Sequence, residues 1–160
     1  MNTKERITPI LTLYRGKRKD TEEWIESCNI NVQTDIKGNR HVYMGLNFHS
    51  DLNPQMVTIE WVEVITDTVG RWSKLYDTYN SREKLFEGDV VECETSRPDG
   101  QPSTTTMLIS NVDCYTDMGY LDYCNGIKLI GNIYDEPKLA TKHINTYPKV
   151  KCSPFDEESE

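Results

Sequence analysis

Along the chain, apolar and polar positions alternate with a period of two far more often than with the period of a helix. Between His41 and His49, Val42, Met44, Leu46 and Phe48 point one way, and His41, Tyr43, Gly45, Asn47 and His49 the other. That is the pattern of a strand buried on one face. Val57, Ile59 and Trp61 alternate with Thr58 and Glu60, after which Val62 and Val64 take up the opposite parity. A parity switch inside one apolar run predicts a β-bulge. Trp24, Cys28, Ile30 and Val32 share a parity, as do Leu108 and Val112.

Turn chemistry separates these segments. Lys37-Gly38-Asn39 precedes the His41 strand, and Pro98-Asp99-Gly100 parts Val90–Glu94 from Thr104–Val112. Asn125-Gly126, between Tyr120–Cys124 and Ile127–Ile133, predicts a hairpin with a type I′ turn, because Asn and Gly best tolerate positive φ. One stretch reads as helix: Asp135 caps it, Pro137 suits its first turn, and Leu139, Ala140 and Ile144 form its apolar stripe. Many short strands with one short helix near the end predict a mainly β fold, a small and strongly curled barrel.

Composition narrows the classes. A chain of 160 residues is the size of one ordinary domain, or one core with an appendage. With 36% hydrophobic residues and a mean hydropathy of −0.66, the core is modest. The net charge of −8 argues against coating nucleic acid or an anionic membrane with the whole surface. No apolar run reaches the length of a membrane span, and the charged start Met1-Asn2-Thr3-Lys4-Glu5-Arg6 has no secretory segment behind it. The expectation is a cytoplasmic protein without a membrane partner. Charge is uneven: residues 1–20 carry Lys4, Arg6, Arg15, Lys17, Arg18 and Lys19 against Glu5 and Asp20, a net of +4. Asp156, Glu157, Glu158 and Glu160 form an acidic tail, expected to be disordered over 148–160. The cysteines Cys28, Cys93, Cys114, Cys124 and Cys152 include no C-x-x-C pair. They read as reduced thiols, with a Cys114–Cys124 bridge left open across the expected hairpin.

Four segments together carry a resemblance. They are Tyr14-Arg15-Gly16-Lys17-Arg18 with Glu23-Trp24-Ile25; Val69-Gly70-Arg71-Trp72 followed by Leu75 and Asp77; Leu85-Phe86-Glu87-Gly88-Asp89-Val90; and Ile130-Gly131-Asn132-Ile133-Tyr134 with Pro137 and Leu139. In order and roughly in spacing they resemble the YopX family of phage and prophage proteins, from about residue 14 to residue 139. Two turns depart from the family pattern. Asp20-Thr21-Glu22 lacks the family's glycine, and so does the stretch from Ser73 to Lys84, which is also longer by two residues. The resemblance implies a pseudo-barrel of the SH3/PRC-barrel kind with a short C-terminal capping helix. It also implies an N-terminal hairpin portion that mediates self-assembly, in the cytoplasm of a bacterial host. The family has no established activity, so no catalytic residues carry over. The expected organisation is an N-terminal β region over 1–66, a barrel with its helix over 67–147, and the tail.

Candidate chemistry is sparse. Glu87-Gly88-Asp89 invites a carboxylate-pair reading, but acids beside a turn glycine more often accept hydrogen bonds from the turn's own amides. Glu87, Gly88, Asp89, Gly131, Asn132 and Tyr134 are therefore expected to be architectural. His41 and His49 are about 26 Å apart along one strand, too far to share a metal ion. His143 has no His or Cys partner at helical spacing. His49 and Asp51 form an H-x-D pair without a nearby nucleophile, so a hydrolase using them with Glu87 and Asp89 is the third reading. No G-x-S-x-G, P-loop or Rossmann pattern occurs, and neither a cofactor nor a metal is expected.

The basic hairpin is the expected partner site. Arg15 and Lys17 share a strand face, Arg18 and Lys19 lie at the tip, and Tyr14 and Trp24 offer aromatic surface. That combination suits single-stranded nucleic acid, the second reading. Against it, Glu22, Glu23 and Glu26 would cancel the field across the strand pair. The leading expectation is a non-enzymatic, homo-oligomeric binding module that displays this hairpin and the loop from Asp77 to Lys84 to an unidentified protein.

Overall fold

The computed structural model describes residues 11–49, 57–79 and 82–142. The acidic tail, Asp51, His143, Ile144 and Cys152 lie outside them. The chain divides into two compact units, the first reaching to Asp67 and the second beginning at Thr68.

In the first unit, β1 (Tyr14–Lys17) and β2 (Trp24–Ser27) form an antiparallel hairpin, with Tyr14 opposite Ser27 and Lys17 opposite Trp24. Strands β3 (Ile30–Thr34), β4 (Arg40–His49) and β5 (Val57–Val64) form an antiparallel meander in that order. The Lys37-Gly38-Asn39 turn lies where expected. Gly38 has φ +86, and the Asp35 carboxylate accepts the N–H of Lys37 and of Asn39, each at 2.8 Å. Val42, Met44, Val62 and Val64 are buried. The Ser27 hydroxyl ties the end of the hairpin to the meander by donating to the Gly45 carbonyl at 2.6 Å.

The bulge expected in the apolar run of β5 does not occur. The register with β4 runs unbroken from Val42 opposite Val64 to His49 opposite Val57. Val62 and Val64 belong to the buried face, while Val57, Ile59 and Trp61 occupy the other face and stay about half exposed. Two separate apolar rows on one regular strand produce the same parity switch as an inserted residue.

In the second unit, β6 (Gly70–Tyr76) pairs with β7 (Lys84–Phe86), and β8 (Asp89–Ser96) is central in a sheet ordered β10-β8-β9. Here β9 spans Pro102–Leu108 and β10 spans Gly126–Asn132. The β8–β9 turn contains Gly100 at φ +77, as Pro98-Asp99-Gly100 predicts. Leu85, Val91, Cys93, Met107, Ile109, Leu121 and Ile127 form the core. In β9 it is Met107, not Leu108, that faces this core. Irregularities occur where the alternation gave no warning. Between β6 and β7 the register slips from Trp72 opposite Phe86 to Tyr76 opposite Lys84, with Lys74 at φ +68. Between β10 and β8 it slips between Leu129 and Gly131. Such insertions bend strands. The described residues are mainly β, with a strongly curled half-barrel sheet and two short α-helices.

The expected Tyr120–Cys124 hairpin strand is instead the end of a helix, α1 (Tyr115–Asp122). Met118, Leu121 and Cys124, spaced by three, all pack on the core, a helical stripe that outweighs the Asn-Gly signal. Gly126 does not turn the chain. It opens β10, and a Cβ there would lie 2.5 Å from Tyr79 Cε2. The second helix, α2 (Lys138–Lys142), follows Pro137 as expected; its first amide bonds run from Leu139 to the Glu136 carbonyl and from Ala140 to the Pro137 carbonyl.

The segments containing Glu87-Gly88-Asp89, Gly131-Asn132-Ile133-Tyr134 and Leu139 meet. Asp89, only 1% exposed, accepts the Phe86 N–H at 2.7 Å and the Asn132 side-chain amide at 2.8 Å. Asn132 in turn accepts the Tyr134 N–H at 2.9 Å. Gly88 has φ +94, and a Cβ there would be 2.6 Å from Tyr134 Cε2. At Gly131 a Cβ would be 2.7 Å from Leu139 Cδ1. Replacement Gly88→Ala therefore meets both an unfavourable backbone conformation and a ring. It should cost roughly 2–4 kcal/mol. Gly38→Ala, with positive φ but no atom within 4 Å of the new Cβ, should cost about 1 kcal/mol. Urea denaturation of the two variants should preserve that order.

Candidate functional site

The hairpin places Arg15 and Lys17 on one face, as expected, and both lie over Trp24. The Arg15 guanidinium carbon is 4.5 Å from the ring centroid and Lys17 Nζ is 5.3 Å from it. The indole is thus already engaged by its own neighbours, a cation–π arrangement that orders the cations but covers the ring a stacking base would use. Tyr14 is half-buried opposite Ser27 and is not part of this cluster. The tip cations are committed too. Arg18 holds Asp20 with two bonds, 2.9 and 2.7 Å, and the guanidinium lowers that carboxyl to about 2. Lys19 Nζ is 2.9 Å from Glu63. The acids in contact with these two cations are Asp20 and Glu63; of the acids that sequence reasoning named, Glu26 stands opposite Arg15 in the strand register and Glu23 adds to the field at Arg18.

Glu63 also meets His41, through Nδ1 at 2.8 Å, while His41 Nε2 faces Asp35 at 3.6 Å. Register explains this cluster: Glu63 lies beside Tyr43 and His41 beside Gln33 on the same antiparallel sheet. The Glu63 hydrogen bond, opposed by partial burial and aided by Asp35, raises the imidazole above its ordinary value. Glu63 is lowered by His41 and then Lys19, and Asp35 is lowered chiefly by Asn39. Two carboxylates flanking an imidazole favour its protonated form, in which both ring nitrogens carry a proton. The arrangement is a charged clasp, and no serine, threonine or cysteine accompanies it among the residues in these bonds. His49 ends β4.

In the second unit, the two acids of Glu87-Gly88-Asp89 point to different partners. Glu87 accepts from Arg71 Nη2 at 2.9 Å, from the Arg71 N–H at 3.0 Å and from the Val112 N–H at 3.0 Å. Burial pushes this carboxyl up, but Arg71 and the amides outweigh it and hold the group below its ordinary range. Arg71 extends to Asp113 at 2.6 Å and Asn111 at 3.1 Å. Asp89 serves Phe86 and Asn132 as described. Both carboxylates of the motif are thus engaged by donors within the second unit.

Sequence reasoning missed a concavity of 260 Å³ lined by Tyr79, Glu92, Glu94, Thr104 and Lys128. The Tyr79 hydroxyl donates to Glu94, whose bond raises the phenol. Strand alternation placed Glu92 and Glu94 together, but only the fold brings Tyr79 across them. Asp77, 3% exposed, pins the root of this loop by accepting from Tyr79 and Leu129, at 2.7 and 2.9 Å. Residues 80–81 of the expected display loop lie outside the described residues.

Cys28, Cys93, Cys114 and Cys124 form no disulfide bond. Cys124 neighbours Cys93, and burial pushes the Cys93 thiol up to about 12. Such thiols are poor nucleophiles. Among the described residues no group of three or more His, Cys, Asp or Glu side chains is placed to hold a metal ion.

Because the His41 value is raised by folding, its stabilising contribution is fully present below about pH 6.5 and is lost as pH rises through the higher folded value. An NMR titration of His41 should show the raised midpoint, and Glu63→Gln should bring it down. An unchanged midpoint in that variant would remove Glu63 as the cause.

No protein-family model, no curated protein and no solved structure matches the chain.

Proposed function

We propose that the chain is a non-enzymatic binding module of the YopX-like phage and prophage kind, working in the cytoplasm of a bacterial host as part of a homo-oligomer. The observation that carries this reading is the bonding of the motif residues themselves. Glu87, Asp89, Asn132, Gly88 and Tyr134 are used by one another and by Arg71, Phe86 and Val112. Residues occupied in this way brace a scaffold. What such a scaffold offers a protein partner is the β1–β2 hairpin, where Arg15 and Lys17 are held in place over Trp24. Cations ordered beforehand lose less freedom on binding an acidic surface. No helix among the described residues is long and apolar enough to cross a membrane.

Nucleic-acid binding is the second reading, and the ion pairs of Arg18 and Lys19 weigh against it. Fluorescence anisotropy with a single-stranded oligonucleotide at low salt separates the two. The proposal expects no saturable binding, whereas steeply salt-dependent binding lost on replacing Arg15, Lys17, Arg18 and Lys19 by Ala would overturn it. In induced host cells, a protein co-purifying with the unmodified chain should be lost from the Arg15→Ala/Lys17→Ala/Trp24→Ala variant. Equal recovery would dismiss the hairpin as the contact.

A further inference from the structure

Strand β5 has a second edge, and its orientation follows from hydrogen bonds at both sides of the meander. The Gly45 N–H donates to the Asn29 carbonyl at 2.9 Å, so odd-numbered residues of β4 face β3 and even-numbered ones face β5. Given the β4–β5 register, even-numbered residues of β5 face β4. The other end of β5 agrees: the Glu63 carbonyl accepts the Lys19 N–H at 3.0 Å and the Ile65 N–H donates to the Lys17 carbonyl at 2.8 Å. The backbone groups of Val57, Ile59 and Trp61 therefore point away from the sheet, and no strand among the described residues pairs with them. Their side chains are 51%, 45% and 48% exposed. Gly45 lets this row lie flat, since a Cβ there would be 2.9 Å from Ile59 Cγ2 and 3.4 Å from Trp61 Cζ3. A bare edge bearing an apolar row is a template for another strand.

We infer that the occupant of this edge is a second copy of the chain, paired antiparallel about a two-fold axis at Ile59. In that register Ile59 lies opposite the partner's Ile59 and Val57 opposite the partner's Trp61. All three outward-facing residues then exchange N–H and C=O bonds, and the apolar row doubles in width. Charge selects this register over its neighbours. Glu60 lies opposite the partner's Thr58. A slip towards Glu63 would put Glu60 against the partner's Glu60 in a close, non-hydrogen-bonded pair, and would call on the Glu63 carbonyl that Lys19 already uses. A slip the other way runs Trp61 past the start of β5. An isologous pairing of this kind closes on itself and leaves no free edge to propagate. It rests on the homo-oligomer of the proposed function and places its contact on a surface separate from the hairpin; a monomer would end both, whereas an oligomer with freely exchanging β5 amides would end this inference alone.

Light scattering and amide hydrogen exchange on the full chain test the inference. The expected mass is twice 18.5 kDa, with exchange at Val57, Ile59 and Trp61 slowing as concentration rises. Ile59→Pro removes an outward donor that β4 does not use. It should return the mass to that of a monomer while far-ultraviolet circular dichroism keeps its strand signal. Thr58→Lys places opposite charges across both halves of the pairing and should tighten dimerisation roughly two- to thirtyfold. A monomer at every concentration overturns the inference. So does an oligomer whose Val57, Ile59 and Trp61 amides exchange freely, one that survives Ile59→Pro, or a Thr58→Lys variant that associates no more tightly. The Thr58→Lys result decides the matter if Ile59→Pro fails to fold.

Discussion

Asp89 is a carboxylate with almost no solvent contact, placed where β7 has ended and β8 begins. A buried charge of that kind is tolerable only when donors surround it. Phe86 supplies one from the end of β7 and Asn132 another from the end of β10. Once Asp89 is satisfied in this way, the turn at Gly88 and the exit from β10 are held together, and Tyr134 closes over the glycine. The Gly88 carbonyl accepts the Ile133 N–H and its own N–H reaches the Ile109 carbonyl, so the exit from β9 joins the same knot. Glu87, on the other side of the glycine, reaches through Arg71 to β6 and through the Val112 amide to the segment leading into α1. A three-residue turn thus ties together most of the second unit.

The first unit solves a different problem, that of a cation-rich hairpin in an acidic chain. Its positive side chains do not spread into a field. Arg18 is matched by Asp20, Lys19 by Glu63, and Arg15 and Lys17 lie over an indole. Glu63 carries the most, because His41 shares it with Lys19. Exposed ion pairs contribute little stability one by one. Their effect here is to specify the position of the hairpin tip beside β5, which ordered pairs achieve more readily than apolar contact.

The placing of the hairpin tip also bears on the edge of β5. Lys19 uses the Glu63 carbonyl, so the hairpin covers one end of the strand, and among the described residues no strand pairs with the remainder. Glu60 is the one charge on that bare stretch, and acids on an edge guard against indiscriminate pairing. A single acid off the symmetry axis leaves one self-complementary register open.

Much of the fold was legible in local signals. Alternation in β4, the turns at Gly38 and Gly100, and Pro137 ahead of α2 each depend on a few adjacent residues, and each held its reading in the folded chain. The bond from the Phe86 amide to the Asp89 carboxylate is of the same local kind, since only three residues separate donor from acceptor. Other features depended on partners distant in sequence. The Met118, Leu121 and Cys124 spacing became a helix because it had a core to cover, and Asn125-Gly126 lost its turn once Glu94 took Gly126 as a strand partner and Tyr79 settled over it. The parity switch in β5 could not distinguish a bulge from a second apolar face, since only register with β4 counts residues across the pair. Likewise, sequence spacing says nothing of Glu63 finding both Lys19 and His41. Periodicity and turn chemistry are short-range, and the amino-acid sequence determined what they govern. Register, burial and charge pairing are set by which surfaces meet, and those only the tertiary structure decided.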